Sequence, residues 1–162
     1  MTANSADSSQ GGAVARYERD KAAIVFKPVT EGTPQFKEFY IRDVVCKGAE
    51  TGIFVRGLPE MNINSIQMEN ISIQSKKGFV CVEGSNISLK NANLHCDDKT
   101  VIDVLDSKNV TLDNIGHKSG EILLTVGGDR SKDIRLLNTN SSGIKKEIEL
   151  GAGVSASVVK KK

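Results

Sequence analysis

Apolar and polar residues alternate with a period of two through five short stretches of this chain. They are Glu38-Phe39-Tyr40-Ile41-Arg42-Asp43, Ser65-Ile66-Gln67-Met68-Glu69-Asn70, Asn86-Ile87-Ser88-Leu89-Lys90-Asn91, Asn109-Val110-Thr111-Leu112-Asp113-Asn114 and Asp133-Ile134-Arg135-Leu136-Leu137-Asn138. Such alternation predicts strands with one buried and one wet face. The closing Asp or Asn residues are 43, 70, 91, 114 and 138, so the steps are 27, 21, 23 and 24 residues. A repeat of this length with β-type alternation and no helical period predicts a solenoid of stacked strands.

A second strand-like segment follows each copy. The segments are Gly52–Gly57, Gly78–Gly84, Val101–Ser107, Ile122–Gly128 and Glu147–Gly151, and most end in Gly or Ser, which suits a tight corner. The expectation is therefore an all-β, single-chain solenoid of about five rungs, each with two strand segments. At ~4.8 Å between stacked strands, five rungs make a rod about 24 Å long. Asn70, Asn91, Asn114 and Asn138 are expected to lie one above another, because Asn tolerates left-handed corners and stacked amides form a ladder. The glycosylation sequons at Asn70, Asn86 and Asn109 fall inside the repeat and read as by-products of it; a fourth begins at Asn140.

Around this core the chain divides by composition. Residues 1–20 read as a disordered polar tail and 21–35 as an extended connector. The connector carries one apolar run, Ala22–Phe26, suited to covering the end of the stack. Residues 36–159 form the predicted solenoid, and 160–162 a basic tail. Met1 to Gly12 has no apolar run behind a basic start, so no signal peptide is read there, and no apolar stretch is long enough to cross a membrane.

Charge and side-chain chemistry narrow the function. The net charge is +2, from 22 basic and 20 acidic residues, which does not point to nucleic acid. No aromatic ring occurs after Phe79, so half the chain has no stacking platform. Cys46, Cys81 and Cys96 show neither a disulfide framework nor a zinc motif. Cys46 aligns with Ile73 and Leu94 of the next repeats and is expected in the core. His95 and His117 lack ligand-spaced partners, and no metal or cofactor is read from the sequence.

The stretch Phe36 to Gly57, followed by Leu58-Pro59-Glu60-Met61-Asn62-Ile63, resembles the C-terminal region of bacterial glycoside hydrolase family 28, the polygalacturonases and related pectin hydrolases. The resemblance continues through Gly78 to Gly84, Asp106 to Asn114 and Gly127 to Asn138. It implies a right-handed parallel β-helix, in keeping with the handedness of parallel crossovers, and an exported, carbohydrate-degrading parent protein. It further implies inverting hydrolysis, in which one carboxyl protonates the glycosidic oxygen and others activate water.

The family carries that machinery in the motifs Asn-Thr-Asp, Asp-Asp, Gly-His-Gly and Arg-Ile-Lys, and this chain departs from all four. Asn138-Thr139-Asn140 lacks the closing acid and comes last, where the family has it first. Gly116-His117-Lys118 lacks the second glycine, and Arg19-Asp20-Lys21 lacks the apolar middle residue. Asp97 and Asp98 do form an acid pair, but between strands, where a solvated turn is expected. No catalytic residue carries over.

Three functions remain open on sequence. The chain is the C-terminal part of a pectin hydrolase, inactive alone and prone to self-association through an exposed end rung. Or it is a non-catalytic module for pectin or polygalacturonate, with Arg42 and Arg56 as the candidate substrate-binding residues, since guanidinium matches carboxylate geometry. Or it is a structural module.

Overall fold

The computed structural model describes residues 35–118 and 120–162. The tail at 1–20 and all but the last residue of the connector lie outside the described residues. Nine parallel strands build a β-solenoid of about five turns, with no α-helix among the described residues. They are β1 (Lys37–Arg56), β2 (Ile63–Val82), β3 (Gly84–Cys96), β4 (Thr100–Leu105), β5 (Lys108–His117), β6 (Gly120–Gly127), β7 (Lys132–Leu137), β8 (Ile144–Leu150) and β9 (Val159–Lys161). A 3-10 turn, Ala156–Val158, precedes β9.

Each turn of the solenoid has three sides, not the two that the sequence suggests. The closing Asn bends the strand without ending it, so β2 runs from Ile63 through the corner at Asn70 to Val82. The first side stacks Ile66, Ile87, Val110 and Ile134 in one inward column and Met68, Leu89, Leu112 and Leu136 in another. The second side stacks Ile71, Ala92 and Ile115. The third stacks Phe79, Ile102, Leu124 and Ile148 beside Cys81, Val104, Val126 and Leu150. Packed together, these columns form one continuous core.

Corners recur where the backbone is left-handed. Among the described residues, twelve that are not glycine have positive φ, and nine of these are Asn or Asp. Their short polar side chains tolerate that geometry, which other residues adopt only at a cost. Both ends of the alternating stretch are such corners: Asn86 (φ 55°) and Asn91 (φ 50°), and likewise Asn109 and Asn114. A third set of corners falls at Glu83, Asp106 and Gly128, next to the Gly and Ser residues that mark the turn in the sequence.

Two amide ladders follow. At one corner Asn70 Nδ2 donates to Asp43 Oδ1 (3.1 Å), Asn91 to Asn70 (3.5 Å) and Asn114 to Asn91 (2.9 Å). Asn138 breaks the series, donating instead to Asp113 Oδ1 at 2.8 Å. The other ladder runs from Asn109 to Asn86 (2.6 Å) and from Asn86 to Asn64 (2.9 Å). A buried serine pair secures the third corner: Ser107 Oγ accepts from Gly84 N (3.0 Å) and Ser131 Oγ from Ser107 N (3.3 Å).

The two ends differ. Phe39 and Ile41 occupy the inward columns of β1 yet are 42% and 41% exposed. Among the described strands only β2 pairs with β1. At the other end the solenoid continues past Val159: Lys160 and Lys161 pair in register with Arg135 and Leu136 in β9, so the expected basic tail is largely a strand. Lys161 Nζ also meets Glu147 Oε1 at 2.8 Å, and this contact holds the Glu147 carboxyl below its usual range.

A corner Asn has two separable roles, and substitution tells them apart. Asn86→Ala loses the ladder bonds and forces alanine into the left-handed region, with an expected cost of about 2–3 kcal/mol. Asn86→Gly keeps the corner and loses the ladder, at about 1 kcal/mol less. Urea denaturation of both variants checks this. Equal losses would show that the corner conformation contributes nothing.

Candidate functional site

The outer face of the first side carries the most polar chemistry. Register places Tyr40, Gln67, Ser88, Thr111 and Arg135 in one outward column and Arg42, Glu69, Lys90 and Asp113 in the next. A groove of about 280 Å³ on this face is lined by Tyr40, Gln67, Glu69, Ser88, Thr111 and Arg135 among others. Arg42 does not line it, and lies 5.8 Å from the Tyr40 ring centroid and 3.7 Å from Asp43. Tyr40 donates to Glu69 Oε2 at 3.0 Å.

The second column alternates in sign: Arg42, Glu69, Lys90, Asp113. In a parallel stack, residues in register sit about 4.8 Å apart, so like charges there repel and opposite charges attract. The same rule pairs Lys76 with Glu50 (2.7 Å) and Lys145 with Glu121 (3.5 Å) across a rung, and Lys160, in register with Arg135, reaches diagonally to Asp133 (3.3 Å). The Glu50 contact raises the pKa of Lys76. The matching is local, since Lys108 and Lys132, and Arg135 and Lys160, stand in register as like charges.

Arg56 stands apart from Arg42, on the third side. Its register column continues with Val82 and Leu105, and Phe54 and Val80 form the outward column beside it. The corners at Asp43 and Gly48 separate the two arginines along β1, so they do not converge on one ligand position. Asp97 and Asp98 lie in the exposed bend between β3 and β4, as expected. Their backbone N–H groups donate to Lys76 O, and Lys99 N donates to Asp98 Oδ1 at 2.7 Å.

His95 is exposed on β3. His117 is different: it takes the column position of Cys46, Ile73 and Leu94. Its ring bridges two carbonyls, with Nδ1 2.9 Å from Lys118 O and Nε2 2.6 Å from Asn140 O. Cys46 is half-buried against the core, as its alignment implies, and Cys81 and Cys96 are buried. Burial pushes the Cys81 thiol up to about 11, which marks an inert core thiol. Among the described residues no group of three or more His, Cys, Asp or Glu is arranged to hold a metal ion.

One constellation went unread in the sequence. Glu83, almost fully buried at its corner, meets the Arg130 guanidinium, which also lies 3.3 Å from Asp106 Oδ2. Asn62 Nδ2 donates to the remaining Glu83 oxygen at 3.1 Å. Two carboxylates are brought together here, but a cation stands between them and their oxygens are engaged. The trio is an ion-paired strut across the third corner, two carboxylates sharing one guanidinium. Its only sequence trace is an acid in two successive corners, and the arginine that joins them is 47 residues from Glu83.

No protein-family model, curated protein or solved structure matches the chain.

Two expectations follow from the charge pattern. Lys90→Glu places three acids in register and should lower stability by roughly 1 kcal/mol at low salt, less at high salt. A loss independent of salt would argue against the column as an electrostatic device. Arg130→Ala should lower the denaturation midpoint strongly, because it strands the buried Glu83 carboxylate, and adding Glu83→Gln should recover most of that loss. A double variant as unstable as Arg130→Ala alone would mean that the arginine acts through packing.

Proposed function

We propose that this solenoid is the C-terminal scaffold of a pectin-degrading hydrolase of the glycoside hydrolase family 28 type, without hydrolytic activity of its own. In this reading the rungs that carry the catalytic acids stack on the edge of β1 that no other described strand pairs. The observation that carries the proposal is the asymmetry of the two ends. The inward columns stop abruptly at Phe39 and Ile41, and Phe36, Val45 and Phe54 are also exposed at that end. A strand in this position offers unpaired backbone groups to another in parallel register. The Leu58–Met61 connection and the Asn-rich repeats support the family, and the absence of an open acid pair among the described residues supports a scaffold role.

The alternative, a module that binds acidic polysaccharide through Arg42 and Arg56, has less behind it. The two side chains lie on different sides of the coil, and Arg42 already faces Asp43.

The test is direct. The genomic sequence upstream of the Met1 codon should continue in frame and encode Asn-Thr-Asp, Asp-Asp, Gly-His-Gly and Arg-Ile-Lys in that order. The isolated chain should release no reducing ends from polygalacturonate. Hydrolysis by the chain alone, or an upstream stop codon with a ribosome-binding site, would overturn the proposal.

A further inference from the structure

The second side of the solenoid has a gap in its outer surface. Register places Val45, Ser72, Asn93 and Gly116 in one outward column. Gly116 contributes no side chain, and the Asn93 amide lies in the space left open: a Cβ at Gly116 would collide with Asn93 Oδ1. Asn140 follows the corner Asn138 by two residues, as Gly116 follows Asn114 and Asn93 follows Asn91. The result is a groove of about 450 Å³ lined by Asn93, Gly116, His117 and Asn140 together with the corner residues Asn91, Asn114 and Asn138.

The hydrogen-bond inventory of this groove is unusual. Because Asn138 donates to Asp113, the Asn114 oxygen receives no amide from the rung beyond it. Among the described residues, neither end of the Asn93 amide is engaged by another group. Asn140 Oδ1 accepts from Ser142 N at 2.9 Å, which leaves its Nδ2 to solvent. The groove therefore offers donors and acceptors side by side. No Asp, Glu, Lys or Arg lines it, and both ring nitrogens of His117 lie within 3 Å of backbone carbonyl oxygens.

We propose that this groove binds a neutral, hydroxyl-rich carbohydrate chain. A carboxamide presents one donor and one acceptor edge, which matches adjacent hydroxyls that each donate and accept. Successive corner amides repeat at about 4.8 Å along the axis, a spacing that suits a linear chain with one sugar ring per rung. No Lys or Arg lines the groove to offset desolvation of a polyanion's carboxylates. With no aromatic platform and little apolar burial, the affinity is modest, on the order of 1 mM. The proposal does not depend on the pectin-hydrolase reading and survives or fails separately from it.

The experiment is a titration of the full, ¹⁵N-labelled chain followed by side-chain amide resonances. The probes are galactohexaose, xylohexaose and arabinohexaose, with hexagalacturonate in parallel. At least one neutral hexamer should shift the Asn93, Asn114 and Asn140 amide signals with a Kd on the order of 1 mM, and hexagalacturonate should bind about tenfold more weakly. Asn93→Ala, which removes an exposed side chain outside the ladders, should weaken the neutral hexamer about tenfold, and Gly116→Ala should do the same by displacing the Asn93 amide. The proposal is overturned if none of the neutral hexamers shifts these signals, if Asn93→Ala binds as the parent does, or if hexagalacturonate binds as well as the neutral chains.

Discussion

Register between successive turns is the constraint on which this structure depends. A parallel stack buries its side chains only if each turn bends at the same place as the one before it, since a slip of one residue turns every inward side chain outward. Asn and Asp meet that demand twice over. They accept the left-handed backbone that a sharp corner needs, and their side chains bond to the same residue type one rung away. The ladder thus couples the local geometry of one corner to the alignment of its neighbours. The columns of Ile, Leu and Val supply most of the burial, but the corners decide which residues meet.

That division explains what was legible in the sequence. The inward pairs such as Ile87 and Leu89 were plain, because alternation over four or five residues has few other readings. The corner at Asn91 was legible too, since Asn recurs at one position in successive copies. The second side was harder to see. Its strands carry Ala92 and Leu94 but also Asn93 and His95, and they follow a residue that normally marks a turn. The Glu83–Arg130 contact could not be read at all: it joins two corners through an arginine in a loop, and no local pattern announces it. Asn138 failed to join its ladder for a related reason. The chain leaves the strand path after Leu137, and Asp113 lies within reach as a stronger, charged acceptor.

The surface follows the same logic as the core. Any column of outward residues sits at strand spacing, so a run of like charges accumulates repulsion with every rung added. Arg42, Glu69, Lys90 and Asp113 avoid this by alternation and Lys76 meets Glu50 across one rung, whereas Lys108–Lys132 and Arg135–Lys160 are like-charged neighbours and Lys160 turns to Asp133 on the diagonal. The consequence bears on function. Where cations are paired in this way, less local field is left with which to gather a polyanion, whatever the count of Lys and Arg in the composition. A near-zero net charge on a solenoid is in part a condition of stacking, and by itself says little about the ligand.

Sites on such a scaffold arise where the repeat is broken. A regular column presents the same side chain, already bonded above and below, at every rung. Chemistry needs a group left free, and only an irregularity provides one. Gly116 removes a side chain from its column, Asn138 withdraws an amide from its ladder, and His117 puts a polar ring where the turns before it have Cys46, Ile73 and Leu94. All three departures fall on one side of the solenoid, within two turns of each other. A scaffold under selection for stacking alone would have no reason to gather them there, because each one removes a packing or hydrogen-bonding contact that the neighbouring turns retain. The clustering of defects, more than any single residue, is what sets the amide groove apart from the rest of the surface.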